Sequence, residues 1–235
     1  MDKLIVFAPS ELDYKARKCQ RCYYLEKVNK ISPKSFPPPV FSNFDVVQQA
    51  YFKDKDTSDF IDNFPSGRIM NKEELPGRIV SKILKDNKDR EFILGGRPDI
   101  VIEFKDKSYG IIDFKTTNLS EEKGDAYKFQ LEAYTQIFTN PGSTKSAETP
   151  KLSPITHLGV LQFFPKNIHK HKKNECDLRM LTQYSPITRN EQNFFDHITN
   201  LIDLLDTKKI PEFTESCNFC NFVKQQKETQ KGDIK

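Results

Sequence analysis

Apolar residues recur along this chain with two different periods, and the change of period marks its parts. Through residues 95–118, GGRPDIVIEFKDKSYGIIDFKTTN, β-branched and aromatic side chains come in two runs: Val101, Ile102 and Phe104, then Tyr109, Ile111, Ile112 and Phe114. Lys105-Asp106-Lys107-Ser108 separates them, so the pattern predicts two β-strands and a polar turn. Toward the ends the spacing lengthens to that of a helix. After Leu4, Ile5, Val6 and Phe7, read as a short strand or extended arm, Leu12, Ala16, Cys19, Tyr23 and Val28 fit a helix opened by Ser10, with Asp13 completing an imperfect capping box. A proline-rich connector over residues 31–41, with Pro33, Pro37, Pro38 and Pro39, precedes a second helix from Ser42 on Phe44, Val47 and Tyr51. Residues 64–90 read as a loop and a short amphipathic helix, with Pro76 near its start, Ile79, Ile83 and Leu84 packing, and Glu73 and Glu74 solvated ahead of it. A third core strand is predicted at 156–165, a basic loop at 166–173 and a last strand at 176–181. Residues 188–206 form the clearest helix, capped by Thr188 or Asn190, with Phe194, Phe195, Ile198, Ile202 and Leu205 as its stripe.

Each strand of the central pair carries a carboxylate that packing does not require. Asp99 opens the first; Asp113 lies near the end of the second, with Lys115 two residues on. Alternation puts Asp113 and Lys115 on one face and Phe114 on the other. Antiparallel pairing through the turn would bring Asp99 to the same end. Two carboxylates suit Mg²⁺ or Mn²⁺, with positions left for water and a phosphate oxygen, and a lysine beside them can stabilise developing negative charge. An isolated D-x-K more often marks an ordinary surface ion pair. Here it sits inside an apolar strand, IIDFKTT, and follows G-x-P-D at hairpin distance.

G-G-R-P-D followed by D-F-K-T-T resembles the core of the PD-(D/E)XK nuclease superfamily, and in particular its RecB-like branch, which adds a helix carrying Q-x-x-x-Y. Here Lys128-Phe129-Gln130-Leu131-Glu132-Ala133-Tyr134 supplies that motif, with Gln130 and Tyr134 one turn apart on one helical face. The resemblance implies an α/β restriction-endonuclease-like core, a mixed β-sheet flanked by helices. It implies a metal-dependent deoxyribonuclease in which Asp99, Asp113 and the Phe114 carbonyl hold the ion, Lys115 assists the water or transition state, and Gln130 and Tyr134 support that geometry. AddB-type helicase–nucleases and CRISPR-associated adaptation nucleases belong to this branch, so DNA repair, recombination or mobile-element defence is the implied setting, with DNA and a helicase or other repair protein as partners. The superfamily places a further acid or histidine on an early helix; the four histidines, His157, His169, His171 and His197, all lie late, and Asp45 is the nearest candidate. Glu103 is a possible third carboxylate or a partner for Lys105 or Lys107.

Length and charge set bounds. At 235 residues with 19 Phe and 8 Tyr, one domain with a sizeable core is expected, over residues 1–222, with a disordered tail at 223–235. A net charge of +4 calls for a local basic groove if nucleic acid binds. No apolar run reaches membrane-spanning length, and the expectation is a soluble cytoplasmic protein, where cysteines serve metals more than disulfides. Cys19-x-x-Cys22, ringed by Arg17, Lys18 and Arg21, and Cys217-x-x-Cys220 lie at opposite ends of the chain and predict a shared four-thiolate site closing the core, while Cys176 reads as a free thiol. Paired C-x-x-C motifs alone favour structural Zn²⁺; the resemblance implies a [4Fe–4S] cluster instead. The alternative from another class is a catalytically inactive nucleic-acid-binding module of the same fold with a structural Zn or Fe–S site.

Overall fold

The two apolar runs at the centre of the sequence pair as predicted. In the computed structural model, which describes residues 4–32, 38–53, 55–71, 74–119 and 125–230, β6 (Ile100–Phe104) and β7 (Tyr109–Thr116) are antiparallel, with Ile100 opposite Ile112 and Glu103 opposite Tyr109. Lys107 closes the turn at φ 65° while Asp106 accepts from the Ser108 amide. Both faces of this hairpin are covered, which is why its strands read as nearly continuous apolar runs. Val101 and Ile111 face one core with Leu158 and Val160; Ile100, Ile102, Ile112 and Phe114 face a second with Phe52, Leu161 and Phe163.

The hairpin is the middle of a five-stranded mixed sheet ordered β2-β6-β7-β8-β9. β2 (Gly67–Ile69) runs antiparallel to β6. β8 (Ile155–Lys172) lies parallel to β7, and β9 (Glu175–Ile187) returns antiparallel along it. A parallel neighbour requires a crossover, which α4 (Lys128–Thr139) supplies. Phe129, Leu131, Ala133, Tyr134, Ile137 and Phe138 fill the first core from that helix. α5 (Glu191–Asp206) adds Phe194, Ile198, Leu201, Ile202 and Leu205 to the same core, and Asn190 is its cap, accepting from the Asn193 amide at 2.9 Å. On the other face α3 (Pro39–Phe52) contributes Phe52; it starts earlier than predicted, because Pro39 suits the first turn. A smaller sheet is built on β5 (Glu91–Gly96), with β1 (Ile5–Phe7) parallel to it and β3 (Ile79–Val80) and β4 (Leu84–Lys85) antiparallel. The mixed sheet flanked by helices is thus as expected, and no helix among the described residues is long and apolar enough to cross a membrane.

Four local expectations are corrected. The amphipathic helix foreseen after Pro76 is absent; Ile79 and Leu84 enter the core as the edge strands β3 and β4, while Ile83 is left half exposed. The first helix is interrupted: α1 (Pro9–Lys18) and α2 (Gln20–Lys27) meet at Cys19, whose backbone is extended, and Ala8, not Ser10, occupies the cap position of α1. Of the basic segment 166–173, residues 166–172 are not a loop but the outer end of β8, and Lys173 enters the turn that Asn174 closes at φ 63°. Residues 223–230, placed in a disordered tail by composition, continue α6 (Asn218–Gln230). Residues 120–124, Pro33, Pro37, Glu73, the Ala16 side chain and residues 231–235 lie outside the described residues.

Candidate functional site

Register brings the acids of the hairpin together. Ile100 pairs with Ile112, so Asp99, one residue before β6, stands level with Asp113. Its Oδ2 accepts the Phe114 backbone N–H at 2.7 Å, which pins the carboxylate to β7. Asp113 is 3% exposed and points toward α4, where its Oδ1 accepts from Gln130 Nε2 at 2.6 Å. Its Oδ2 faces the Lys115 ammonium in an ion pair and has no other hydrogen-bond partner among the described residues. Lys115 in turn lies over the Tyr127 ring, 4.9 Å from its centroid. The Tyr134 hydroxyl donates to the Arg97 carbonyl at 2.7 Å and so fixes the turn that delivers Asp99. All five residues singled out from the hairpin and the following helix therefore converge, and Phe114 contributes its backbone between them.

The electrostatics show what this cluster lacks. Burial, then repulsion from Asp113, pushes the Asp99 carboxyl up to about 7. Burial pushes Asp113 upward as well, against the pull of Lys115. Burial alone would lower the Lys115 pKa, but Asp113 and Asp99 hold it charged and raise it. One ammonium between two desolvated carboxylates leaves negative charge uncompensated, and the oxygen donors suit a hard divalent cation. Asp45, on an exposed face of α3, adds its negative charge to the potential at Asp99; Gln49 on the same helix accepts from Arg97 at 3.4 Å. Glu103 is turned away, paired with Arg68 and, at 2.9 Å, with Lys107. Glu74 also pairs with Arg68, at 2.7 Å.

Two contributors escaped the sequence reading. Asp13 accepts the Gln130 backbone N–H at 2.7 Å and so caps the first turn of α4 from another helix. Arg189 clamps the buried Glu132 of the same helix at 2.9 Å. Pairings across such separations leave no local pattern; in the sequence Asp13 reads only as a capping-box residue of its own helix. Of the histidines, His197 stacks on Phe129 at 4.0 Å and donates to the Leu12 carbonyl, a packing role.

Cysteines from both ends of the chain meet in one cluster. Cys19 occupies the extended break before α2 and Cys22 the helix itself; Cys217 and Cys220 lie just before and within α6. The four Sγ atoms lie within 4.8 Å of one another, with Cys22–Cys220 at 3.4 Å, Cys22–Cys217 at 3.7 Å and Cys19–Cys220 at 3.9 Å. Burial opposes ionisation of Cys19, but the Cys22 and Thr214 amides outweigh it and bring its pKa down to about 7. Burial and hydrogen bonding to its neighbours drive Cys22 upward, and Cys220 is pushed up to about 11. Cys19 is thus biased toward the thiolate while Cys22 and Cys220 are biased against it, and a bound metal ion would favour the ionised forms. Cys176 is exposed and remote from this set.

Comparisons with known proteins bear on the fold and the family. The chain resembles a solved structure described as "Crystal structure of SSO0001", with a TM-score of 0.52 and 15% identity over 95% of this chain and 86% of that one, a likeness of fold. No curated protein matches it. The profile of the PD-(D/E)XK nuclease superfamily, whose members are typically metal-dependent phosphodiesterases, matches residues 59–225, a span that takes in the acidic hairpin, α4 and the second cysteine pair. With most of its length inside that match, the chain belongs to the PD-(D/E)XK nuclease superfamily.

Proposed function

We propose that this protein is a Mg²⁺- or Mn²⁺-dependent deoxyribonuclease of the RecB-like branch, serving DNA repair, recombination or mobile-element defence in the cytoplasm, alone or beside a helicase. The observation that carries the reading is the meeting of Asp99, Asp113 and Lys115 at one end of β7, beneath Gln130. Asp99, Asp113 and the Phe114 carbonyl would hold the ion, with Asp45 as a further carboxylate from α3. A divalent cation there would supply Lewis-acid chemistry for phosphodiester hydrolysis. The chain's own groups do the rest. Lys115, held charged by its acidic neighbours, donates to a non-bridging phosphate oxygen and offsets charge as it develops. Gln130 keeps the Asp113 carboxylate in one orientation, and Tyr134 holds the turn at Arg97. Residues 1–222 act as one nuclease unit.

For the cysteine site the spacing favours zinc. Four thiolates around one tetrahedral ion with bonds of about 2.3 Å stand roughly 3.8 Å apart. The separations of 3.4, 3.7 and 3.9 Å match that, whereas a [4Fe–4S] cluster, the occupant implied by resemblance, needs a wider opening.

Purified protein should nick or degrade DNA with Mg²⁺ or Mn²⁺ and not in EDTA. Asp113→Asn and Lys115→Ala should each lower the cleavage rate by about 10²-fold or more while leaving the circular dichroism spectrum unchanged. Undiminished cleavage by both variants refutes the site. A wild-type protein that binds DNA without needing a divalent ion, and cuts nothing when Mg²⁺ or Mn²⁺ is supplied, is the inactive binding module.

A further inference from the structure

β8 outruns the strand it is paired with. Asp113 lies beside Val160 and Lys115 beside Gln162, and the pairing with β7 ends at Phe163. From there β8 continues to Lys172 with β9 as its sole strand partner among the described residues, past the same end of the sheet that carries the acidic cluster. At about 3.4 Å per residue, residues 166–172 reach roughly 20 Å beyond the last row of the sheet. Residues 165–179 are all exposed, on both faces, with the half-buried Phe164 and Met180 at the base. A ribbon of this kind buries nothing and is held by its own backbone pairing and by the Asn174 turn.

Its chemistry is one-sided. Lys166, Lys170, Lys172, Lys173 and Arg179 oppose only Glu175 and Asp177. Lys172 is taken by Glu175 at 3.1 Å, and Asp177 faces His171 at 3.3 Å. Lys166, Lys170, Lys173 and Arg179 have no carboxylate partner among the described residues. Register places Arg179 on the same face as Gln183, which pairs with Gln162 in the row of Lys115. At the opposite face Ile168 and Leu178, cross-strand partners, are 67% and 41% exposed.

We propose that the β8–β9 ribbon is an arm that lies in the major groove of duplex DNA beside the cleavage site. The idea rests on the nucleic-acid substrate of the reading above and adds to it the form of that substrate. The B-DNA major groove, about 12 Å wide, admits a two-stranded ribbon, while the deep, narrow groove of A-form RNA does not. The unpaired cations meet the flanking phosphates, and the Ile168–Leu178 pair supplies an apolar surface for thymine methyl groups. Single strands offer no groove, so the arm selects duplex over single-stranded DNA.

The test is equilibrium binding in EDTA, by fluorescence anisotropy of labelled duplex and single-stranded DNA across a salt series, comparing wild type with Lys166→Ala/Lys170→Ala/Lys173→Ala/Arg179→Ala. The substitutions are on exposed side chains and should leave urea unfolding unchanged. Duplex affinity should drop at least tenfold, with the slope of log K against log salt shallower by about 0.9 per lost phosphate contact, and single-strand binding unaltered. Unchanged duplex affinity and slope, equal losses on both DNAs, or a wild type with no duplex affinity overturns the arm. Asp113→Asn, which decides the nuclease reading, should retain the wild-type salt slope, so the two failures separate.

Discussion

Asp13 offers a prediction in which two effects of one carboxylate oppose each other. The side chain is 2% exposed, its Oδ2 receives the Gln130 amide at 2.7 Å, and its Oδ1 has no hydrogen-bond donor among the described residues, with Arg17 at 3.7 Å. Burial raises its pKa from 3.8 to about 6, against the pull of the Gln130 amide and Arg17. The folded protein therefore holds this proton more tightly than the unfolded chain, so stability falls as pH rises from about 4 to about 6 and stays lowered above that. At about 1.4 kcal/mol per unit the penalty is on the order of 3 kcal/mol. Asp13→Asn keeps an oxygen for the Gln130 amide and removes the charge. The attraction between the carboxylate and the N-terminus of α4 is already contained in that net shift. The variant should match wild type near pH 4 and exceed it by about 3 kcal/mol at pH 8, measured by urea unfolding across that range with EDTA present. A variant less stable at pH 8, or a difference independent of pH, would show that capping outweighs burial and that the reasoning is wrong.

Cys22→Ser removes one of four thiolates; bound metal, read by elemental analysis, should fall from about one zinc per chain toward zero, and the thermal midpoint should drop to that of the chelator-treated wild type. Gly142→Ala would set a Cβ 2.3 Å from the Ser81 carbonyl oxygen, backbone that cannot swing aside, and should cost about 2–4 kcal/mol by urea unfolding, with retention of wild-type stability as the contrary result.

What the sequence disclosed depended on whether burial was repeated along a segment. The β6–β7 hairpin was legible because each residue from Ile100 to Ile102 and from Ile111 to Phe114 enters one core or the other, save the acid that belongs to the site. Gln130 and Tyr134 were singled out by the resemblance to Q-x-x-x-Y, whose spacing sets both on one helical face. By contrast, Ile79, Ile83 and Leu84 imitate helical spacing, and strands of two residues carry no period of their own to correct it. The outer half of β8 carries none either: exposed on both faces, it owes its conformation to β9, and Lys-His alternation looks the same in a loop. α6 is polar nearly all round beyond Phe222, which is why composition placed it in a tail. Asp13 reads as a cap for its own helix; that it caps α4 instead is a fact of packing between α1 and α4.

That packing gives the cysteine site its position in the molecule. Cys19 is the residue that ends α1, and Asp13 lies six residues before it, about 9 Å along the helix. Fixing Cys19 to the C-terminal pair therefore fixes the end of the helix from which Asp13 reaches α4. On α4, the residue whose amide Asp13 receives is the residue whose side chain orients Asp113. Tyr24 of α2 donates to the Thr207 carbonyl at 2.9 Å, just beyond α5, so the segment after α5 is tied down beside the thiolates as well. The N- and C-terminal parts of the described chain are thus drawn together at the cysteines and linked, through α1 and Asp13, to the Gln130 end of the acidic cluster. A break in α1 at Cys19 follows from the same arrangement: an unbroken helix would carry Cys19 and Cys22 at fixed helical spacing, and the extended residue lets both sulfurs turn inward on Cys220, at 3.9 and 3.4 Å.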